Sequence, residues 1–139
     1  MENRQALQQK YMELQMLDQQ IKQVQKQLQM INEQLTEIDL ISQGLDDLSK
    51  TKQGSEILVP VSIGIFLKAD IKDAEDLIVN VGAGVAVKKN ISQTKEMLAV
   101  QRDEIKKLQI HLSSDLNNLI MHATAHESEI GGLMGENNK

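Results

Sequence analysis

A chain of 139 residues with one Phe, one Tyr and no Trp has too few large aromatic side chains for a conventional globular core. Fifteen basic against twenty acidic residues give a net charge of −5 without a basic patch, which disfavours nucleic-acid binding. With no Cys there is neither a disulfide framework nor a thiolate nucleophile, and a reducing compartment fits.

Residues 2–5 are polar, so no signal-peptide apolar region is present and a cytoplasmic location is expected. The longest nearly apolar run, residues 57–67, is broken by Pro60, Ser62 and Gly64. It is too short to cross a membrane as a helix.

Residues 1–50 read as one coiled-coil helix. There is no Pro before residue 60, and the first Gly is Gly44. Leu14, Leu17, Ile21, Val24, Leu28, Ile31, Leu35 and Ile38 alternate spacings of three and four, the seam pattern of a coiled coil, and Leu7 extends it backwards. Beyond Ile38 the apolar series moves to Ile41, Leu45 and Leu48, which predicts a stutter. Gln fills much of the remaining surface.

Residues 51–90 change character. Odd positions are apolar from Ile57 through Val59, Val61, Ile63, Ile65, Leu67 and Ala69 to Ile71, and again at Leu77, Val79, Val81, Val85 and Val87. Even positions are mixed, with Leu58, Phe66 and Ile78 as apolar exceptions. Period-2 alternation rich in β-branched residues predicts strands with one buried face. A turn at Gly82, Ala83 and Gly84, with Gly84 left-handed, would set Val81 against Val85 and Val79 against Val87. A similar turn at Ser62, Ile63 and Gly64 would set Val61 against Ile65 and Val59 against Leu67. Two hairpins cannot cover their own apolar face, so these eight valine, isoleucine and leucine residues are expected to complete a sheet or barrel built by several subunits. The alternative is a small sheet folded back on its own helices.

Residues 91–131 read as the second coiled-coil helix, capped by Asn90 with Gln93 completing a capping box. Its seam runs Leu98, Ile105, Leu108, Leu112, Leu116, Leu119, Ala123, His126 and Ile130, with polar Gln101 and Asp115 on the strict heptad. Gly131, Gly132 and Gly135 are expected to end it and leave residues 132–139 as a flexible tail. Returning antiparallel, the helices should bring together residues whose numbers sum to roughly 139.

Candidate chemistry is sparse. His122 and His126 stand one helical turn apart beside Glu127, but Ala123 occupies the place where a zinc protease motif needs Glu, and no third His is near. They read as seam or tip histidines, and no metal is assigned. Gly82-Ala83-Gly84 is followed by a strand-like run where a dinucleotide loop needs a helix. Asp70, Asp73, Glu75 and Asp76 read as a solvated turn and not a calcium loop. No nucleophile is paired with a base, so neither an enzyme nor a cofactor is expected. At the helix ends away from the strands, Leu7, Tyr11, Met12, Ile130, Leu133 and Met134 form a candidate binding tip. Met1, Met16 and Met121 map to the same half, and Met suits surfaces that accept many apolar shapes.

Helix, two hairpins and helix, with Leu58-Val59-Pro60-Val61 opening the strands and Val79-Asn80-Val81-Gly82-Ala83-Gly84-Val85 turning the second hairpin, resembles the alpha-class subunit of prefoldin, archaeal in type. A beta-class subunit would carry one hairpin. The resemblance implies an α+β, mainly α chain: a long antiparallel two-helix coiled coil whose hairpins contribute to an intersubunit β barrel. It implies a heterohexamer of two alpha-class and four beta-class subunits. Such an assembly holds unfolded client proteins at the coiled-coil tips and passes them to a group II chaperonin without nucleotide hydrolysis. A static coiled-coil scaffold or tether that assembles through its hairpins is the other reading of the same residues.

Overall fold

The computed structural model describes residues 2–137, with side chains from Asn3 to Gly135; Met1 and the last two residues of the expected tail lie outside them. Six elements follow in order: α1 (Glu2–Ser49), β1 (Glu56–Ser62), β2 (Ile65–Asp70), β3 (Asp76–Gly82), β4 (Val85–Asn90) and α2 (Ile91–Asn137). The chain is mainly helical, with the two hairpins in the middle. It divides into two compact units: residues 1–34 with 104–139 form unit 1, and residues 35–103 form unit 2.

Each unit pairs a length of α1 with an antiparallel length of α2. In unit 1, Lys10 meets Glu129 and Glu13 meets His126, both on the expected sum of 139. Gln109 donates to Asn32 two positions away from that sum. In unit 2, Arg102 Nε donates to Asp39 Oδ1 at 2.9 Å, and Lys95 pairs with Asp46. The seam buries Ile31, Ala123 and Ile130 in unit 1 and Leu35, Ile38 and Leu98 in unit 2, with no described side chain wholly enclosed.

Three details depart from the sequence pattern. After Ile38 the seam keeps its heptad through half-buried Ser42, while Ile41 is exposed, so the stutter is not at that place. In α2 the inward positions are Arg102 and Gln109, whereas Gln101 and Leu108 face solvent. Apolar identity alone misplaced them: Arg102 and Gln109 continue the four- and three-residue spacing of Leu98, Ile105, Leu112 and Leu116, and Gln101 and Leu108 fall off it. Finally, α2 does not stop at Gly131 but runs on to Asn137. Buried Ile130 and half-buried Leu133 continue the seam there, and that packing outweighs a helix cost of about 1 kcal/mol per glycine.

The α2 start is a reciprocal capping box. Gln93 N donates to Asn90 Oδ1 at 2.7 Å, and Asn90 N donates to Gln93 Oε1 at 3.1 Å. Thr94, the buried polar side chain of this turn, donates its hydroxyl to the Asn90 carbonyl at 2.8 Å.

The hairpins are separate two-stranded antiparallel sheets, β1 with β2 and β3 with β4. Val59 faces Leu67 and Val79 faces Val87, as the parity requires. Next to each turn the register shifts: Ser62 pairs with Ile65 and Gly82 with Val85. The expected pairs of Val61 with Ile65 and Val81 with Val85 are therefore replaced, with the two valines placed in bulges. The cause is turn length. Each loop between paired residues has two members, Ile63-Gly64 and Ala83-Gly84, and the surplus residue enters the strand as a bulge. Ala83 and Gly84 both have positive φ, +53° and +74°, as a type I′ turn demands. Asn80 supports this turn by accepting from Gly82 N at 3.0 Å.

The linker after α1 ties down one edge. Gly54 N donates to the Ile71 carbonyl at 2.7 Å, and Ile71 N to the Ser55 carbonyl at 2.8 Å, which leaves Ile71 buried.

Ala83 holds a left-handed backbone that costs an L-residue about 1–2 kcal/mol, while glycine there adds about 0.4–1 kcal/mol of unfolded-chain entropy. Strain is the larger quantity, so Ala83→Gly should raise the thermal midpoint in a calorimetric melt. Asn90→Ala should lower it, by a loss of about 1 kcal/mol at the α2 cap.

Candidate functional site

No three His, Cys, Asp or Glu residues group as a metal site among the described residues, and no helix among them is long and apolar enough to cross a membrane. Exposed apolar side chains are scattered singly along the helices, as at Leu40, Val100 and Ile110, and gather in two places.

The first is on the hairpins of unit 2. Ile57, Val59, Val61, Ile65, Leu67, Val81 and Val85 are exposed, and Val79 and Val87 are half-buried. Each strand is paired along one edge with its hairpin partner, its other edge carries no strand among the described residues, and the seven exposed side chains have no cover in the unit. Leu58, Phe66 and Ile78 stand exposed on the opposite parity, with Lys68 facing Leu58 and Lys88 facing Ile78. Both faces of each hairpin therefore carry apolar residues, and one of them is edged with cations.

The second place is the end of unit 1 where α1 begins and α2 ends. Of the six residues expected there, Tyr11, Met12 and Met134 are exposed, and Leu7 and Leu133 are half-buried. Ile130 is different: at 6 % exposure it is a seam residue and not part of the open surface. Tyr11 and Met134 touch, the phenol hydroxyl donating to the thioether at 3.7 Å. Met16 and Met121 add exposed thioethers in the same unit. Glu13, Met16, Leu17, Gln20, His122 and His126 line a shallow groove of about 260 Å³ beside it.

The helices are joined at this end by charged groups. Lys10 and Glu13 sit three apart on α1, and His126 and Glu129 three apart on α2, so the four interleave as Lys10–Glu129 and His126–Glu13. His126 gives Nδ1–H to the His122 carbonyl at 2.9 Å and Nε2–H to the Glu13 carboxylate at 2.7 Å. Gln9 donates to the other Glu13 oxygen at 3.5 Å. Since both ring nitrogens face acceptors, the imidazolium satisfies both. The Glu13 bond first, and then the His122 carbonyl, raise the His126 pKa, while partial burial and nearby Lys10 oppose them. Lys10 in turn holds the Glu129 carboxyl below its usual range. This quartet was missed from the sequence. The signal was there in two i, i+3 pairs of mixed charge, on segments whose numbers sum to 139.

Because the folded His126 pKa is raised, its contribution to stability is complete below about pH 6.5 and is lost as pH rises through the raised value. Thermal melts of the full chain should show a midpoint that falls across that window. His126→Gln should flatten the dependence; an unchanged slope in that variant would show that the clasp contributes nothing.

A family model described as Prefoldin subunit matches residues 17–133. Prefoldin subunit alpha of Thermofilum pendens (strain DSM 2475 / Hrk 5) is 30 % identical over 86 residues, which is 62 % of this chain and 67 % of that one. Among solved structures, the filamentous PFD from Methanocaldococcus jannaschii aligns with a TM-score of 0.74 at 13 % identity, covering 84 % of this chain and 96 % of that one. At that identity the likeness is one of fold.

Proposed function

The chain belongs to the prefoldin family, a family of non-enzymatic chaperones, and we propose that it is an alpha-class subunit that holds unfolded proteins without using nucleotide. In this reading the hairpins join two alpha-class to four beta-class subunits in the cytoplasm. The terminal end of unit 1 grips clients and releases them to a group II chaperonin.

The observation that carries the reading is the placement of exposed apolar side chains. They are concentrated on hairpins that have no cover of their own and at the paired helix ends, where Tyr11, Met12 and Met134 face solvent. Open strands favour a partner that supplies further strands. A tip of a few thioethers and one phenol favours apolar ligands of no fixed shape. Full burial of one such side chain yields about 1.5–3 kcal/mol, so one arm binds weakly. Several arms on one client raise the effective concentration and thus the avidity.

Two measurements test this. Native mass of the chain alone and with a beta-class subunit should show the closed heterohexamer only in the mixture. An open-ended series from the chain alone would replace that assembly with self-association. Light scattering of a chemically denatured client should stay low when the hexamer is present. Deleting residues 1–12 and 127–139 should leave assembly intact and let the scattering rise. If the truncated chain suppresses aggregation as well as the full one, the terminal end is not the grip. If neither suppresses it, the static scaffold is the better account.

A further inference from the structure

We propose that the thioethers of Met12, Met16, Met121 and Met134 form a peroxide-oxidisable modification site whose sulfoxides weaken client holding, an inference that rests on the holding function proposed above.

The distribution of methionine carries the inference. Met12, Met16, Met121 and Met134 are 65 %, 61 %, 69 % and 47 % exposed, and all lie in unit 1, as does Met30 at 55 %, which oxidant also reaches but which stands eighteen residues along α1 from Met12, away from the paired helix ends. Met97, the methionine of unit 2, is half-buried. Oxidation of a thioether follows access to its sulfur, so these four should react before Met97. There is no Cys or Trp in the chain to compete for oxidant, and Tyr11 is the single Tyr.

The chemistry is a two-electron oxygen transfer from a peroxide. The sulfur lone pair attacks the distal oxygen, an S–O bond forms as the O–O bond breaks, and the peroxide leaves as water. The product is a polar, chiral side chain where a flexible apolar one stood. At Met134 the effect goes further. The thioether is a weak acceptor for the Tyr11 hydroxyl, at 3.7 Å. A sulfoxide oxygen on that sulfur would accept the same proton at ordinary O–H···O length, drawing both exposed side chains of the pair onto each other. Met12, Met16 and Met121 would lose apolar character without gaining a partner. Reversal needs two thiols, which become a disulfide as the sulfoxide oxygen leaves as water. This chain supplies none, so the reductant is an external thiol-dependent methionine sulfoxide reductase.

The experiment treats the assembled full-length protein with hydrogen peroxide, maps sulfoxides by peptide mass, and reads aggregation of a denatured client. Oxygen should appear at the four methionines before Met97, with holding roughly tenfold weaker, the change expected from losing burial of about one large apolar side chain. Reductase with dithiothreitol should restore it. The quadruple variant M12L/M16L/M121L/M134L has no thioether to oxidise at these positions, so whatever its holding before treatment, peroxide should leave that level unchanged. Met30→Leu, at an exposed methionine farther along α1, should leave the sensitivity unchanged. Complete sulfoxide at the four positions with undiminished holding would overturn the proposal, as would equal peroxide sensitivity in the quadruple variant. An untreated protein that never held the client would instead overturn the holding function itself.

Discussion

The register between α1 and α2 is the constraint on which the other features depend. No described side chain is fully enclosed, so the seam, a line of buried and half-buried residues, has limited capacity to specify alignment. Polar pairs supply what the seam lacks. Lys95, Arg102 and Gln109 on α2 are spaced by one heptad, and so are their acceptors Asp46, Asp39 and Asn32 on α1. Every donor is on one helix and every acceptor on the other. A slip of one heptad would preserve two of these three pairings, so the series alone does not fix alignment. The quartet in unit 1 breaks the degeneracy: such a slip would set His126 against Ala6 or Gln20 in place of Glu13. As exposed or half-exposed pairs these add little stability each, and their contribution is to selecting one alignment.

The hairpins obey a different logic, because their alignment is set by the turns. Every pairing of the first hairpin recurs twenty residues later in the second. Val59 with Leu67 becomes Val79 with Val87, and Ser62 with Ile65 becomes Gly82 with Val85. Bulges at equivalent places keep corresponding residues of the two hairpins on corresponding faces. A one-residue slip would move each face to the other side of its ribbon, and the two-residue turns prevent it.

Much of this was legible in the sequence. The heptads of α1, the period-2 stretch, the Asn90 capping box and the antiparallel pairing near a sum of 139 all follow from local pattern. The less legible parts involve competition between neighbouring residues. Ser42 sits in the seam in place of Ile41 because continuity of the heptad outweighs the side chain's apolarity. Gly131 and Gly132 stay helical because Ile130 and Leu133 pack on either side of them. The parity reading placed Val61 and Val81 in cross-strand pairs. The repeat at twenty residues, with Gly64 and Gly84 in corresponding places, was the clue that both loops have two residues, although Ala83 has positive φ and Ile63 does not. Ile130 was read both as the last seam residue and as part of the open tip; its burial decides for the seam, whereas Met134, four residues on, is exposed.

Both candidate surfaces are built on an inversion of the usual globular arrangement. In the hairpins, backbone hydrogen bonds hold the strands together, and the apolar side chains are left over. At the paired helix ends, Lys10, Glu13, His126 and Glu129 hold the helices together, and Tyr11, Met12 and Met134 are left over. Had an apolar staple closed that end, those three side chains would be consumed in the closure and unavailable to any ligand. A polar clasp consumes none of them. It also keeps the two helix ends at a fixed separation, so neighbouring apolar side chains remain spread over both helices when no ligand is present. Directional polar contacts thus set the pairing beside the apolar seam of Ala123, Ile130 and Leu133, and the exposed apolar side chains stay available to whatever binds.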